Sequence, residues 1–507
     1  ADAAPDPTEV KSARRAAHLA ALEHEREREA YIAEGAGGFR TDEASAALVK
    51  RFKANELFAW KVGGDPWPTM PEHYFADVEA DTLRMKGVGR DGKRQAGPPP
   101  LSAGCAALSG KIRDFAASGR PRDQTLFLNT LAMACFDIDT SSATPIGVSI
   151  PRQPFLERSA AGTLEELHEA LGEGRWGQTD AWNLPYLYYF PYRGAKVKDV
   201  VLFLHEAILP RLPPGAKGSF VYVLEDIEIE EAATAEQLQV LYDNGTPPML
   251  HAFLEETPFM RAWPDLDTLR AHNEVKLQHV SAPEARVAWL AKEPRVLFRG
   301  GPHGPREWGV YPDQLGPAEM EALSGAPELR SRNLANCANK PRVQLAVLCR
   351  EVAALQGLCD VKLSQGVGRK CSNGGFEALG LAEAGEADYV AFEAWQRYRA
   401  VFNVDGYGAA FSFAARLGLG SPVVKLVSPL RQEFERFLEP GVHYVPVDLR
   451  NVSAVVPYVL DEANAAEMQE VVWNAGRVVA ERLGLAATTD RAAAALAGIF
   501  AQMQFEG

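Results

Sequence analysis

Residues 398–447, YRAVFNVDGYGAAFSFAARLGLGSPVVKLVSPLRQEFERFLEPGVHYVPV, combine residue types suited to holding a diphosphate. An apolar run ending in Phe402-Asn403-Val404 reads as a buried strand that enters Asp405-Gly406, then small residues, then a helix start rich in Gly, Ala and Ser. Small side chains let a pyrophosphate approach the backbone, and free amides at the positive end of a helix dipole favour its charge. The next apolar run, Val423-Val424-Lys425, sets a cation near the carboxyl end of a sheet, where open α/β domains bind ligands. Taken alone, the Gly-Ala-Ala segment reads first as a tight strand-to-helix connection.

A second stretch, Val296-Leu297-Phe298-Arg299-Gly300-Gly301-Pro302-His303-Gly304-Pro305-Arg306, reads as a strand followed by a glycine-rich loop with two arginines. Planar guanidinium groups suit bidentate contact with phosphate oxygens, although an isolated loop of this kind is ordinarily a surface turn.

In order and spacing these segments resemble glycosyltransferase family 90, the family of Rumi-type protein O-glucosyltransferases and capsule-associated proteins. The matching elements are the aromatic lead at Tyr398, Asp405-Gly406, the strand Ser421-Pro422-Val423-Val424-Lys425, and Leu438-Glu439-Pro440-Gly441-Val442-His443-Tyr444-Val445-Pro446-Val447. The loop from Phe298 to Arg306 is similar to the family's Phe-Arg-Gly element, and Arg330-Ser331-Arg332 through Cys359-Asp360-Val361-Lys362 looks like its linker helix and first donor-domain strand. The likeness runs from about Leu297 to Val447, and the first two hundred residues carry little of it.

The resemblance implies a GT-B fold: two facing Rossmann-like α/β domains, with a UDP-sugar bound mainly by the C-terminal one. It implies inversion at the anomeric carbon without a bound metal or other cofactor, the UDP-sugar being a co-substrate. Arg299, Gly300 and Arg306 would then flank the donor diphosphate, while Asp405, Gly406, Ser421 and Lys425 shape the nucleotide pocket. The family's catalytic base has its nearest counterpart at Asp226, after the strand Phe220-Val221-Tyr222-Val223-Leu224, with Glu225 and Glu228 as competitors. The family's Asn and Pro are missing around Asp226, and the acidic run 225–231 also fits a solvated strand edge. After Asp-Gly the family carries Ser-x-Arg; here Ala410 and Ser412 take those places, and Arg416 lies one helical turn beyond Ser412 on the same face. The usual acid before the Leu-x-Pro element falls on Gln432, with Glu433 next to it.

Implied partners are a UDP-sugar and a protein or glycan acceptor, and the implied compartment is the endoplasmic reticulum or Golgi lumen. Two rival readings stay open. A metal-dependent GT-A transferase would use Asp137-Ile138-Asp139 or Asp265-Leu266-Asp267 around a cation. A nucleotide- or glycan-binding relative without turnover is allowed by the change at Ser412, because fold does not guarantee chemistry. The aromatic run Tyr186–Tyr192 reads either as a stacking platform for an acceptor or as packed core.

These residues need elements to position them. At 507 residues the chain fits two domains with extensions, and its 47% hydrophobic content supports a sizeable core. A net charge of −14 argues against gripping a nucleic acid along its length, and no apolar run is long enough for a membrane-spanning helix. The expected division is a helical extension over 1–100, an acceptor-side Rossmann-like domain over 101–320, a sugar-nucleotide domain over 321–465, and C-terminal helices over 466–507. Expected strands are 125–131, 200–204, 219–224, 295–298, 400–404 and 422–427, in parallel sheets covered by helices. Helices are expected over 7–33, 43–58 and 462–503, the last broken near Gly484 and around Thr488-Thr489. Six cysteines permit disulfides, no C-x-x-C pair favours zinc, and Asn244-Gly245-Thr246 and Asn451-Val452-Ser453 are acceptor-type sequons.

Overall fold

A computed structural model describes residues 23, 26–30, 42–54, 75–79, 82–85, 104–107, 133–143, 145–151, 200–223, 249–251, 260–265, 272–280, 287–302, 340–363, 388–406, 408–428 and 430–505. The expected strand at 125–131, most of the helix at 7–33, and the aromatic run 186–192 lie outside these residues.

Helix α1 (Glu43–Ala54) begins after Asp42, whose carboxylate accepts the Ser45 N–H at 2.7 Å and its hydroxyl at 2.9 Å, as a helix N-cap requires. Seven strands follow: β1 (Phe75–Glu79), β2 (Thr82–Met85), β3 (Met133–Asp139), β4 (Ile146–Pro151), β5 (Lys217–Val223), β6 (Met249–His251) and β7 (Met260–Ala262). They form one sheet in the order β1-β2-β4-β3-β5-β6-β7. Pairing is antiparallel from β1 to β5 and parallel only from β5 through β7. This differs from the all-parallel sheet expected here, and β3 shows why. Its Ala134, Phe136 and Ile138 are buried in one core while Cys135, Asp137 and Asp139 face the other side, the alternation of an antiparallel strand. The connection to β4 closes through Asp139 N–H to Pro145 O at 3.0 Å, too short for a parallel crossover.

Phe136 stacks on its cross-strand partner Phe220 at 5.2 Å, and Phe220 meets Trp263 at 6.2 Å. On the opposite face of β3 a disulfide joins Cys135 to Cys105, with Cα atoms 5.8 Å apart. Residues 200–204, expected as a strand, are helical and continue into a π-helical turn, Leu204–Ile208. Residues 200–204 are all buried, and a short apolar run cannot by itself distinguish a strand from a helix packed on every side.

Helix α2 (His272–Val280) leads to a second sheet built from β8 (Glu293–Gly300), β9 (Cys359–Leu363), β10 (Tyr398–Asn403), β11 (Val423–Leu426) and β12 (Val445–Val447). Between and after them lie α3 (Pro341–Glu351), α4 (Phe413–Leu417), α5 (Val452–Leu460), α6 (Ala465–Val478) and α7 (Leu485–Phe505). The strand order is β12-β11-β10-β8-β9 and every pair is parallel. All six residues of β10 are buried, as expected of a central strand covered on both faces. Val296, Phe298, Ala400 and Phe402 enter one core with α3 and α5, while Leu297, Val401 and Val423 enter another with Trp395, Phe413 and Leu417. The protein is thus a mixed α/β molecule with a parallel five-stranded sheet and flanking helices.

β8 lies in this second sheet, ahead of the expected boundary at 320/321, and β1 and β2 occupy part of the stretch expected to be a helical extension. The C-terminal helices reach all three cores: Met468 and Val471 join the first face of the parallel sheet, Ala475 and Val479 its other face, and Leu496 and Phe500 the mixed sheet. A Cβ at Gly218 in β5 would lie 2.2 Å from the Phe500 ring, so glycine there permits α7 to dock. The helical run does break at Gly484, but Thr488 and Thr489 sit inside α7, where the Thr489 hydroxyl donates to Leu485 O at 2.7 Å.

Candidate functional site

After β8 the chain steps outward to β9 and then returns across the sheet to β10. The topological switch point therefore lies between β8 and β10, and ligands of open α/β sheets bind outside the carboxyl ends of the strands at such a point. The two segments singled out in the sequence meet there, since Gly300 ends β8 and Asp405-Gly406 follow β10. Arg342, in the first turn of α3, joins them. Its guanidinium donates to Gly301 O at 3.2 Å, to Val404 O at 2.8 and 3.1 Å, and to Asp405 O at 3.2 Å. A Cβ on Gly300 would stand 2.9 Å from the Phe298 ring and 3.6 Å from Arg342 Nη1, so the glycine keeps this crossing open.

Asp405 is buried. Its Oδ1 accepts the Ala410 N–H at 2.8 Å, its Oδ2 accepts the Ser428 hydroxyl at 2.6 Å, and Lys425 Nζ lies 3.7 Å from Oδ2. Lys425 is 2% exposed, sits 3.4 Å from Glu435 Oε2, and lies over the Phe413 ring at 5.3 Å. Burial raises the Glu435 carboxyl above its ordinary range; Lys425 opposes that rise and Asp405 adds to it. Arg431 approaches Glu435 from the solvent side at 3.5 Å.

Arg416 is turned inward. Its Nη1 donates to Asn403 Oδ1 at 2.7 Å and its guanidinium lies 5.1 Å from the Trp395 ring centre. Burial first, and then the neighbouring Arg342 cation, push its pKa down to about 9 against the pull of Asp405, which leaves it protonated at neutral pH. Asn403 Nδ2, Arg416 Nε and Lys425 Nζ are buried and have no hydrogen-bond partner among the described residues. Two buried donors without acceptors, beside a lysine held only by ion pairs at 3.4 and 3.7 Å, suit a ligand rich in oxygen, because each unsatisfied buried donor costs about 1–3 kcal/mol.

Several expected positions fall elsewhere. Arg299 is engaged between β8 and β9, donating to Asp360 Oδ1 and O at 2.8 Å each and to Phe298 O and Asp388 O at 2.9 Å each. The other oxygen of Asp360 accepts from the Tyr398 hydroxyl at 3.0 Å, and burial followed by Asp360 pushes that phenol up to about 12. Ser421 lies at the amino end of β11, donating to Tyr398 O and accepting from Lys292 Nζ, each at 2.7 Å, which is the end of the sheet opposite Asp405. The helix expected to present free amides is the five-residue α4; Ser412 is its N-cap without a side-chain cap bond. Within the loop, Gly406 N–H donates to Gly408 O at 2.9 Å and Ala410 N–H is taken by Asp405. Both amides thus already serve the loop itself.

A scan against protein-family models and a search of curated proteins each find no match to this chain.

Asp226, Glu225, Glu228 and Arg306 lie outside the described residues; β5 ends at Val223, three positions before Asp226. Of the Asp-x-Asp pairs, Asp137 accepts the Ser219 hydroxyl at 2.6 Å, and Asp139 accepts the Ser141 N–H at 3.0 Å and pairs with Lys217 at 3.2 Å. The Ser141 hydroxyl is the largest influence holding the Asp139 carboxyl below its ordinary range. Among the described residues no group of three or more His, Cys, Asp or Glu is placed to hold a metal ion, and no helix is long and apolar enough to cross a membrane.

Sequence reasoning missed Arg342, Ser428 and Glu435. A signal for Arg342 existed: Pro341 marks the first position of a helix, and an arginine beside it opposes the helix dipole, so it calls for a partner outside the helix.

Proposed function

We propose that this chain is a UDP-sugar-dependent inverting glycosyltransferase of GT-B architecture, moving glucose or xylose to a hydroxyl on a protein or glycan. The observation that carries the reading is the meeting of the β8 and β10 loops at the switch point of a parallel sheet, tied by Arg342 and backed by buried Arg416 and Lys425. A diphosphate seated there would meet Arg342, Lys425 and the donors of Asn403 and Arg416. Their fixed charge favours the leaving group as the anomeric C–O bond breaks and negative charge moves onto the diphosphate. Asp226 takes the proton of the acceptor hydroxyl as its oxygen attacks the anomeric carbon. In this reading the protein's own cations offset the leaving-group charge, and no metal is required. The Cys105–Cys135 disulfide supports an oxidising compartment such as the endoplasmic reticulum or Golgi lumen.

The test is binding of UDP, UDP-glucose and UDP-xylose followed by thermal unfolding. A donor that binds only the folded chain at a hundred times its Kd stabilises it by about 2.7 kcal/mol. Arg342→Ala should abolish that shift, while Asp226→Asn should keep it and lose transfer. Failure of every nucleotide sugar to bind would sink the reading. A second reading, a nucleotide binder without turnover, is favoured by Ala410 and Ser412 where the family carries serine and arginine, and by the Ala410 amide being engaged with Asp405. UDP binding without sugar transfer or hydrolysis would select it.

A further inference from the structure

The turn that joins β12 to α5 carries the sequon Asn451-Val452-Ser453, which the proposed donor site does not use. The turn is closed on itself. Asp448 Oδ1 accepts the Arg450 N–H at 3.0 Å, the Asn451 N–H donates to Asp448 O at 3.1 Å, and the Asp448 N–H donates to Asn451 Oδ1 at 2.9 Å. Asn451 O then accepts from the Ala454 and Val455 N–H groups at 3.0 and 2.9 Å, which starts α5. Val452, the first residue of that helix, is buried in the core shared by α3, α5 and the sheet, and it anchors the residues on either side. Asn451 is exposed and Ser453 is half-buried.

The atom of Asn451 that the fold employs decides what chemistry is left to the residue. Its side chain stands at the N-cap position but makes no cap bond to α5; its carbonyl oxygen accepts from Asp448 instead. The turn therefore needs Oδ1 as an acceptor. A substituent on Nδ2 replaces one of two amide hydrogens and leaves Oδ1 able to accept, so the turn keeps its bond. An Asn-x-Ser/Thr triplet whose middle residue is not proline is the acceptor sequence for asparagine glycosylation, and such glycans stand on the surface of secretory chains. The Cys105–Cys135 disulfide is an independent mark of an oxidising lumen.

We infer that Asn451 is an N-glycosylation site, modified by a separate enzyme that transfers an oligosaccharide from a lipid-linked oligosaccharide diphosphate; the inference rests on the lumenal compartment proposed above. The bond from Nδ2 to the sugar C1 forms and the C1–O bond to the diphosphate breaks. The lipid diphosphate leaves, and one amide proton passes to a base of that enzyme. Asn451 closely follows β12, an outermost strand of the parallel sheet, and a solvated oligosaccharide there screens that edge against strand addition.

The test is mass spectrometry of the full chain from its own cells after peptide:N-glycosidase treatment in heavy-oxygen water, which converts a glycosylated asparagine to labelled aspartate. Residue 451 should carry the label, with the intact chain losing the mass of its oligosaccharide. Asn451→Asp retains an oxygen acceptor for the Asp448 N–H, so it should lose this glycan while its urea midpoint matches that of the enzymatically deglycosylated chain. Ser453→Thr keeps the hydroxyl of the sequon and should keep the glycan. An unlabelled Asn451 in a chain whose Cys105–Cys135 disulfide is intact would overturn the site and leave the compartment standing. An unlabelled Asn451 with both thiols reduced would overturn site and compartment together. Label confined to the other sequon, Asn244-Gly245-Thr246, would also overturn the assignment.

Discussion

The mixed seven-stranded sheet and the parallel five-stranded sheet are held together by different means. In the first, the described core of β3 and β5 is apolar, centred on Phe136, Phe220 and Trp263, with a disulfide behind it and the buried carboxylate of Asp265 two residues beyond Trp263. In the second, equally dry cores enclose charges: Lys425, Asp405, Glu435 and Arg416 at the carboxyl ends of the strands, and Lys292 at the amino ends. Burying ions in apolar surroundings contributes little net stability, and packed hydrophobic residues would often serve the fold as well. Charge retained where the strand order reverses is what the proposed donor site calls for.

The sharpest way to break this contrast is to remove one buried charge and one buried ring. Asp405→Ala leaves Lys425 with a single, partly desolvated partner and strips Ala410 N–H of its acceptor, so it should cost about 3–5 kcal/mol and abolish UDP binding. Phe136→Ala should cost a similar 3–5 kcal/mol through cavity formation, with UDP affinity unchanged in the folded fraction. Urea unfolding with UDP titration at sub-denaturing concentration reads both. If Asp405→Ala retains UDP affinity, the buried charge serves the fold alone.

Next in size is the disulfide. Cys105 and Cys135 are 30 residues apart, and closing a loop of that length restricts the unfolded chain by about 3–4 kcal/mol. Cys105→Ser with Cys135→Ser, in one chain, should therefore lower the stability of the mixed sheet while the parallel sheet unfolds as before. Hydrogen exchange separates the two, since protection in β3 and β5 should fall and that in β10 should not.

How far the sequence reveals each sheet follows from the same difference. The fully buried β10 and β11 carry the short apolar runs Ala400-Val401-Phe402 and Val423-Val424, bounded by Asp-Gly and Ser-Pro, and their strand assignment and parallel pairing were legible. The meeting of Gly300 with Asp405 in one sheet was not legible: the loop after Phe298 was expected on the acceptor-side domain, across a gap from Asp405, whereas β8 lies beside β10. Nor was the mixed sheet: helical residues 200–204 are all buried, and their apolar run carries no period that distinguishes them from a strand. Side-chain direction was also hidden. The resemblance sets Arg299 at the diphosphate, yet Asp360, 61 residues away in sequence, holds it, and Arg416 reaches the site with one nitrogen already on Asn403, 13 residues away. Arg342 bonds backbone carbonyls, so Pro341 beside it could flag the need for a partner but not which partner.

A smaller effect probes the amino ends of the parallel strands. Lys292 is 3% exposed, donates to Gly420 O and Ser421 Oγ, and burial lowers its pKa from 10.5 to about 7. Between about pH 7 and 10.5 the unfolded chain binds more protons at this lysine than the folded one does. Stability should accordingly rise with pH across that window, by at most ~1.4 kcal/mol per unit, and fall again as pH drops through it. Lys292→Met should flatten the slope. A wild-type slope that persists in the variant would assign it to other groups, and a flat wild-type profile would mean that the two acceptors offset the burial.

The smallest predicted change lies on α7, which joins the two sheets. Gly498 stands inside a 21-residue helix, where glycine costs about 1 kcal/mol relative to alanine, and an added Cβ meets nothing within 4 Å. Gly498→Ala should therefore stabilise the protein by about 0.5–1 kcal/mol, raising the urea midpoint without changing its slope.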